Sequence, residues 1–206
     1  MERIIAYVDG FNLYFGLRSK KWQRYYWLNI NLLVRNLLRP HQKLARTKYF
    51  TSLVSSTADD PDKNRRQIAY VEALMTETDV DIFYGHYLSK TQSCRNCGCR
   101  WEVFDEKMTD VNIAMELLAD AFQDRYDTAL LVSADSDLTE PIRKVQQLFP
   151  GKRVVVVFPP NRVSERLKAV ANAYFTLGRK KLADSLFPAE VIKTDGTVLR
   201  RPPRWK

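Results

Sequence analysis

Four aspartates lie in three short motifs whose residue types suit metal-dependent phosphate chemistry. Asp9 belongs to Val-Asp-Gly-Phe-Asn, Asp110 to Lys-Met-Thr-Asp, and Asp135 and Asp137 to Ser-Ala-Asp-Ser-Asp. Oxygen ligands without histidine are typical of Mg²⁺ or Mn²⁺ sites and not of catalytic Zn²⁺ sites. A divalent cation lowers the pKa of a bound water and stabilises the attacking and leaving oxygens of a phosphate ester. The motifs therefore favour phosphoryl chemistry.

Each aspartate also has a structural interpretation. Asp9 could belong to a turn pair with Gly10, and Asp110 could complement a helix dipole. Asp137 stands three residues before Glu140, which is the spacing of a capping box. Crowded carboxylates, however, repel one another by about a few kcal/mol for a close pair. A divalent cation removes that repulsion, so a cation site explains the whole set better than three separate caps do.

Other residues narrow the chemistry. Lys107, three residues before Asp110, suits contact with the non-bridging oxygens of a phosphate, and a solvated lysine at a helix start is the alternative. The two histidines, His41 and His86, leave little material for a Ser-His-Asp or Cys-His triad. The Gly-x₄-Gly-Lys-Ser/Thr motif of a P-loop is absent from the sequence, which excludes that class of phosphate site.

The elements that must position these residues alternate along the chain. Apolar, β-branched runs predict strands at residues 3–8, 43–54, 80–89, 100–104, 128–133 and 152–158, the last of them the final clear strand. Helical spacing of apolar residues predicts helices at 12–17, 28–38, 61–76, 110–122 and 137–149. This alternation predicts an α/β fold with a mostly parallel sheet and helices on both faces. Such sheets bind ligands at the carboxyl ends of their strands, where the aspartates lie.

The composition is that of an ordinary globular domain. With 206 residues, 45% of them hydrophobic and 28% charged, the chain is neither disordered nor fibrous. We expect one domain over residues 1–185, with a hairpin insertion at about 86–104, and a basic tail over 186–206. Apolar stretches are too short for a membrane span, and no signal peptide is recognisable. A soluble, cytoplasmic protein is therefore expected, with the oligomeric state left open, a homo-oligomer included.

The net charge of +9 is unevenly distributed. Residues 1–57 carry +8, residues 58–161 carry −6 and residues 162–206 carry +7. The N-terminal basic region consists of Arg18, Lys20, Lys21 and Arg24, which alternate with aromatic residues from Tyr14 to Trp27. This mixture is typical of surfaces that grip single-stranded nucleic acid. A solvated loop whose aromatic residues pack on the domain edge is the alternative.

The three cysteines form a Cys-x₂-Cys-x-Cys cluster at Cys94, Cys97 and Cys99. A Cys-x₂-Cys-Gly knuckle resembles half of a zinc ribbon, and a structural zinc site needs four ligands. His86 would have to be the fourth ligand, reaching across the predicted hairpin. Free thiols or a redox pair of Cys94 with Cys97 are the alternatives.

These motifs together carry a resemblance to a known family. Tyr7-Val-Asp-Gly-Phe-Asn12, Glu106-Lys-Met-Thr-Asp-Val111 and Leu131-Val-Ser-Ala-Asp-Ser-Asp-Leu138 resemble, in order and spacing, the NYN domain family of PIN-like nucleases, in its LabA-like (DUF88) branch. The resemblance extends over about residues 1–205, because the tail from Asp195 to Trp205 is also similar to members of that branch.

The resemblance implies a PIN-like (Rossmann-like) fold and metal-dependent hydrolysis of RNA. It implies Asp9, Asp110, Asp135 and Asp137 as ligands of Mg²⁺ or Mn²⁺. Asn12 matches a polar residue that orients a ligand or water, and Ser133 matches a small hydroxyl residue beside the third aspartate. The chain is thus expected to be a ribonuclease acting on single-stranded RNA. An RNA- or protein-binding module with an inactive site, and a small-molecule phosphohydrolase, are the alternatives.

Overall fold

The computed structural model describes residues 1–94 and 97–205, with the backbone alone described for 86–92 and 101–107. Its strands are β1 (Glu2–Asp9), β2 (Gln42–Thr51), β3 (Val80–Tyr84), β4 (His86–Ser93), β5 (Arg100–Lys107), β6 (Thr128–Val132), β7 (Arg153–Phe158), β8 (Ala173–Thr176), β9 (Glu190–Ile192) and β10 (Val198–Arg200). A six-stranded sheet has the order β3-β2-β1-β6-β7-β8, and its neighbouring strands all run parallel. The predicted α/β architecture is confirmed.

Helices cover both faces of the sheet. They are α1 (Gly10–Ser19), α2 (Ile30–Leu37), α3 (Lys63–Leu74), α4 (Thr109–Phe122), α5 (Thr139–Leu148), α6 (Glu165–Val170) and α7 (Arg179–Ala183). One apolar core joins the sheet to α1, α2, α3 and α7, and a second joins it to α4, α5 and α6. Among the helices of the described residues, none is long and apolar enough to cross a membrane.

Strand β1 shows why the sheet is buried on both faces. Ile4, Ala6 and Val8 belong to the first core, whereas Ile5 and Tyr7 belong to the second. Successive side chains of a strand point to opposite faces. A strand covered on both sides therefore needs the unbroken apolar run that the sequence shows before Asp9.

The cysteine-bearing hairpin is confirmed, but the segment 80–89 is not the single strand that its pattern predicts. The chain divides at Gly85 into β3, which pairs with β2, and β4, which pairs antiparallel with β5. The Gly85 amide donates to the carbonyl of Thr51 at 2.8 Å, at the end of the β2–β3 pair. Glycine has no side chain to pack in a strand, and the chain leaves the main sheet there.

The prediction that 152–158 is the last strand is wrong. Strand β8 adds to the edge of the sheet beside β7, and it has only four residues, all of them exposed. Strands β9 and β10 then form a small antiparallel ribbon. After it the chain returns to the domain, where the Trp205 ring lies 5.7 Å from that of Tyr26 and 6.2 Å from that of Tyr70. The domain boundary at residues 185/186 stays a prediction.

Candidate active site

The sheet has a topological switch point between β1 and β6. From β1 the chain continues outward through β2 and β3, and from β6 it continues outward through β7 and β8 on the other side. Val8 of β1 pairs with Val132 of β6, so Asp9 and Ser133 follow at the same edge of the sheet. Open α/β sheets bind ligands outside the carboxyl ends of the strands at such a point. Two of the three predicted motifs meet there.

Asp9 is buried and held by three hydrogen bonds. Its carboxylate accepts from the Asn12 amide at 2.9 Å, from Asn12 Nδ2 at 2.8 Å and from Ser133 Oγ at 2.9 Å. The first of these bonds makes Asp9 the N-cap of α1. Burial raises the pKa of Asp9 despite these donors, and the charge of Asp135 raises it further. The turn-pair interpretation of Asp9 is thus replaced by a helix cap that faces the site.

Asn12 and Ser133 connect the elements around Asp9. Asn12 Oδ1 accepts from the Ala134 amide at 3.3 Å and from Arg162 Nε at 2.8 Å. Ser133 Oγ accepts from the Asp135 amide at 3.0 Å. Both residues therefore orient the aspartates. Arg162 is absent from the residues predicted for the site, because the sequence shows it only as one of several basic residues after the last predicted strand.

The Ser-Ala-Asp-Ser-Asp motif forms a tight turn after β6. The Asp135 carboxylate accepts from the Asp137 amide at 3.0 Å and caps a short 3₁₀ turn over Ser136–Leu138. Asp135 is half-buried, whereas Asp137 is exposed. Helix α5 begins only at Thr139 and has no side-chain cap. The capping box from Asp137 to Glu140 is therefore not formed.

Asp110 lies in the first turn of α4, half-buried. Its pKa is raised from 3.8 to about 6, chiefly by burial and then by the charges of Asp135, Asp9 and Asp137 in that order. Met108, two residues before Asp110, has a φ of 80°. This left-handed conformation costs a residue with a Cβ about 1–2 kcal/mol. The chain is thus bent sharply where it brings Asp110 toward the other carboxylates.

The donor set suits a hard cation, although no formed metal site is present. In the described part of the chain, no three His, Cys, Asp or Glu side chains are arranged to hold a metal ion. Mg²⁺ needs only one or two carboxylates, with water and phosphate oxygens completing its shell. Asp9 uses three of its roughly four acceptor positions within the protein. Asp110, Asp135 and Asp137 keep more of theirs, so the residues fit such a cation in chemical type.

The cysteine turn is compact but incomplete as a zinc site. Cys94 is half-buried and Cys97 and Cys99 are exposed, all three in the reduced form. The Cys99 amide, followed by the thiols of Cys94 and Cys99, lowers the pKa of Cys97. The side chains of His86 and Lys107 lie outside the described residues. The zinc site and the phosphate contact of Lys107 stay predictions.

The N-terminal basic region is divided between core and surface. Tyr25 and Trp27 are buried, and Trp27 Nε1 donates to the Pro188 carbonyl at 2.7 Å, as the domain-edge alternative expects. The four basic residues are exposed: Arg18, Lys20, Lys21 and Arg24. Arg18 lies on the last turn of α1, nine residues from Asp9, or about 13 Å along a helix axis. These residues thus flank the carboxylates and do not belong to their cluster.

The chain has a parallel α/β sheet with aspartates at and just beyond the carboxyl ends of its two central strands. It belongs to the NYN domain family, whose model matches residues 3–178. The family is part of the PIN-like nuclease superfamily, so the resemblance in the sequence is confirmed. The LabA-like branch stays a prediction.

Two comparisons place the chain among known proteins. It is 26% identical to 6-hydroxy-3-succinoylpyridine 3-monooxygenase HspA of Pseudomonas putida, over 76% of this chain. The chain spans 59% of the length of that protein. The crystal structure of VPA0982, a Vibrio parahaemolyticus protein of unknown function, matches 90% of this chain and 96% of its own, with a TM-score of 0.55 and 19% identity. The second likeness concerns the fold alone.

Proposed function

We propose that the protein is a metal-dependent ribonuclease that hydrolyses phosphodiester bonds of single-stranded RNA. The observation that carries the proposal is the convergence of charge at the switch point: Asp9, Asp135 and Asp137 all act on the pKa of Asp110. A protein has little reason to keep four repelling carboxylates at one sheet edge unless a cation neutralises them. Membership of the NYN family supports the same reaction.

Asp9, Asp110, Asp135 and Asp137 are the proposed ligands of Mg²⁺ or Mn²⁺. When bound, the cation supplies an activated water and neutralises charge on the phosphate. The chain supplies the positions: Asn12 and Ser133 fix the carboxylate of Asp9, and Ser133 also accepts from the backbone of Asp135. Because these donors lie on α1 and on the turn after β6, the carboxylates are oriented before substrate arrives.

Arg162 is the proposed phosphate contact of the site. Its Nε donates to Asn12 Oδ1, so the guanidinium is held one residue away from the Asp9 carboxylate. Among the described residues no acid forms an ion pair with it, which leaves its terminal N–H groups available. A guanidinium matches the geometry of phosphate oxygens. Lys107, three residues before Asp110 in the sequence, is proposed as a second cation that contacts the same phosphate.

The test is cleavage of a labelled single-stranded RNA with Mn²⁺ by the wild type and by Asp135→Asn. Glu140→Gln is the matched control, because Glu140 is an exposed acid five residues further on that pairs only with Arg143 in the described part of the chain. We expect Asp135→Asn to lose cleavage and Glu140→Gln to keep it. Equal activity of wild type and Asp135→Asn would refute the metal-site role.

The alternatives predict different results. A binding module predicts RNA binding that persists in Asp9→Asn and no cleavage by any form of the protein. A phosphohydrolase predicts turnover of nucleotides and not of oligonucleotides. We do not assign the oxygenation named for the Pseudomonas putida protein to this chain, because the two are 26% identical and the chain spans only 59% of that protein's length.

A further inference from the structure

A cavity of about 160 Å³ lies on the α1 side of the sheet, next to the carboxylates. It begins at Gly10, the residue that follows Asp9, and extends past the end of β2 to α3 and the C-terminal segment. An engineered apolar cavity of about 150 Å³ admits benzene. The space here therefore matches one planar ring.

Aromatic side chains form the walls of this cavity. They include Tyr14, Tyr26, Tyr70 and Trp205, of which Tyr14, Tyr26 and Trp205 are only half-buried. The ring centroids of Tyr14 and Tyr26 are 5.0 Å apart, and Tyr26 and Trp205 meet edge-on at 5.7 Å. Burial raises the pKa of Tyr26 to about 12, so its phenol is neutral at physiological pH. Rings in this arrangement offer stacking faces to a flat ligand without repelling an anion.

The mouth of the cavity is basic. A second cavity of about 280 Å³ shares Arg18, Lys63 and Trp205 with the first and is also lined by Arg66 and Arg204. Asp60 is the acid among these residues, and it pairs with Arg66 at 2.5 Å and with Arg204 at 3.3 Å. In the part of the chain that the structure describes, no acid forms an ion pair with Arg18 or Lys63. Two cations outside any ion pair of the described residues thus stand beside a ring-sized aromatic space, and the charge of Asp60 acts on one of them, Lys63.

The position of the cavity connects it to the candidate active site. Helix α1 carries Asp9 at its N-cap and Arg18 in its last turn, so one rigid element spans both. Gly10 lines the cavity next to Asp9, and it is closely packed there, since a Cβ on Gly10 would lie 2.6 Å from the Tyr49 hydroxyl. A ligand with several phosphates in series could contact Arg18 and the carboxylates together, whereas a single nucleotide with its phosphate on Arg18 could not also reach Asp9, about 13 Å away along the helix axis.

We propose that the cavity receives one unstacked base of the single-stranded RNA, with a flanking phosphate on Arg18 and Lys63. This inference rests on the proposed function and adds a base-binding subsite to it. Aromatic stacking and cationic contacts are the two interactions that proteins combine to hold single strands. The strand then runs along α1 toward Asp9.

Binding is measured separately from cleavage, with full-length Asp135→Asn protein in EDTA. The probe is a short single-stranded RNA that carries 2-aminopurine, whose fluorescence is quenched by stacking. A matched strand with one abasic position at the same place keeps the phosphates and lacks the base. We expect quenching of the intact probe, and about tenfold weaker binding of the abasic strand, which corresponds to the loss of one stacking interaction.

Variants assign the two halves of the subsite. Tyr14→Ala and Trp205→Ala are expected to lose the preference for the intact strand, and two variants are used so that a folding defect in one does not decide the result. Arg18→Glu and Lys63→Glu should each lower the salt dependence of binding by about 0.7 in the log–log slope. Lys144→Glu and Arg65→Glu are the matched controls, because both residues are exposed and lie outside both cavities.

Equal binding of the intact and abasic strands, or equal effects of Arg18→Glu and Lys144→Glu, would overturn the inference. So would a free nucleoside monophosphate that binds as tightly as the strand. If quenching and base preference are found while the wild-type protein cleaves no RNA, the subsite stands and the proposed ribonuclease activity fails.

Discussion

Replacing Asp110 by asparagine is expected to stabilise the metal-free protein at about pH 7.5 while removing nuclease activity. The pKa of Asp110 is raised from 3.8 to about 6, chiefly by burial and then by Asp135, Asp9 and Asp137. At about 1.4 kcal/mol per pKa unit, this shift corresponds to about 3 kcal/mol, which solvent screening of the half-buried carboxylate reduces to about 2 kcal/mol of destabilisation. The same carboxylate also stabilises the folded state by about 0.3–1 kcal/mol through its interaction with the helix dipole at the N-terminus of α4, and the variant loses this contribution. A net gain of about 1–2 kcal/mol remains, or about 2–8 °C in Tm.

The sign of this effect depends on pH. Because the folded-state pKa lies above the unfolded value, the proton on Asp110 favours folding, and this contribution is complete below about pH 4 and lost as the pH rises through about 6. The gain of Asp110→Asn should therefore be found at about pH 7.5 and vanish near pH 4. Thermal denaturation in EDTA at both pH values measures it, with Glu140→Gln as the control. A variant less stable than wild type at the higher pH, or equally shifted at both, refutes the reasoning.

Three further predictions concern packing, substrate and zinc. Gly10→Ala should destabilise the protein by about 1–3 kcal/mol in urea denaturation, because its Cβ would meet a tyrosine hydroxyl at 2.6 Å, whereas Gly151→Ala, with open space around it, should not. Arg162→Gln should raise KM for RNA several-fold and leave Tm nearly unchanged. The control is Arg166→Gln, which replaces an exposed arginine on α6 and should alter neither value. An unchanged KM in Arg162→Gln would contradict the assignment of Arg162 as a phosphate contact. The purified protein should contain about one equivalent of zinc that Cys97→Ser loses, as atomic absorption would measure, and zinc-free wild-type protein would contradict the site.

The sequence predicts the sheet and the meeting of the aspartates for the same reason. Buried parallel strands are unbroken apolar runs, and such a run stops where a polar residue is required at the strand end. Asp9 and Ser133 are read from that pattern directly. Asp110 is read from its place at the start of a helix, and its approach to the others depends on the bend at Met108, which no periodicity shows.

Contacts between distant segments lie beyond such patterns. Arg162 donates to Asn12 across 150 positions of the chain, and one sequence read by itself gives no signal for that pair. The aromatic cavity likewise combines Tyr14 near one end with Trp205 near the other. Strand β8 is missed because its apolar run, from Ala173 to Phe175, is shorter than the about four to eight residues by which a strand is recognised.

The hydrogen bond from the Asn12 amide to Asp9 has a consequence for motion. Helix ends usually fray, but the carboxylate that caps this helix belongs to the end of β1 and also accepts a hydrogen bond from Ser133, which follows β6. Its first turn cannot open without breaking contacts to the centre of the sheet, so amide exchange at Asn12 should be as slow as in the core strands. The carboxylate edge would then be rigid before any ligand binds, and adaptation to substrate would fall to the surrounding loops.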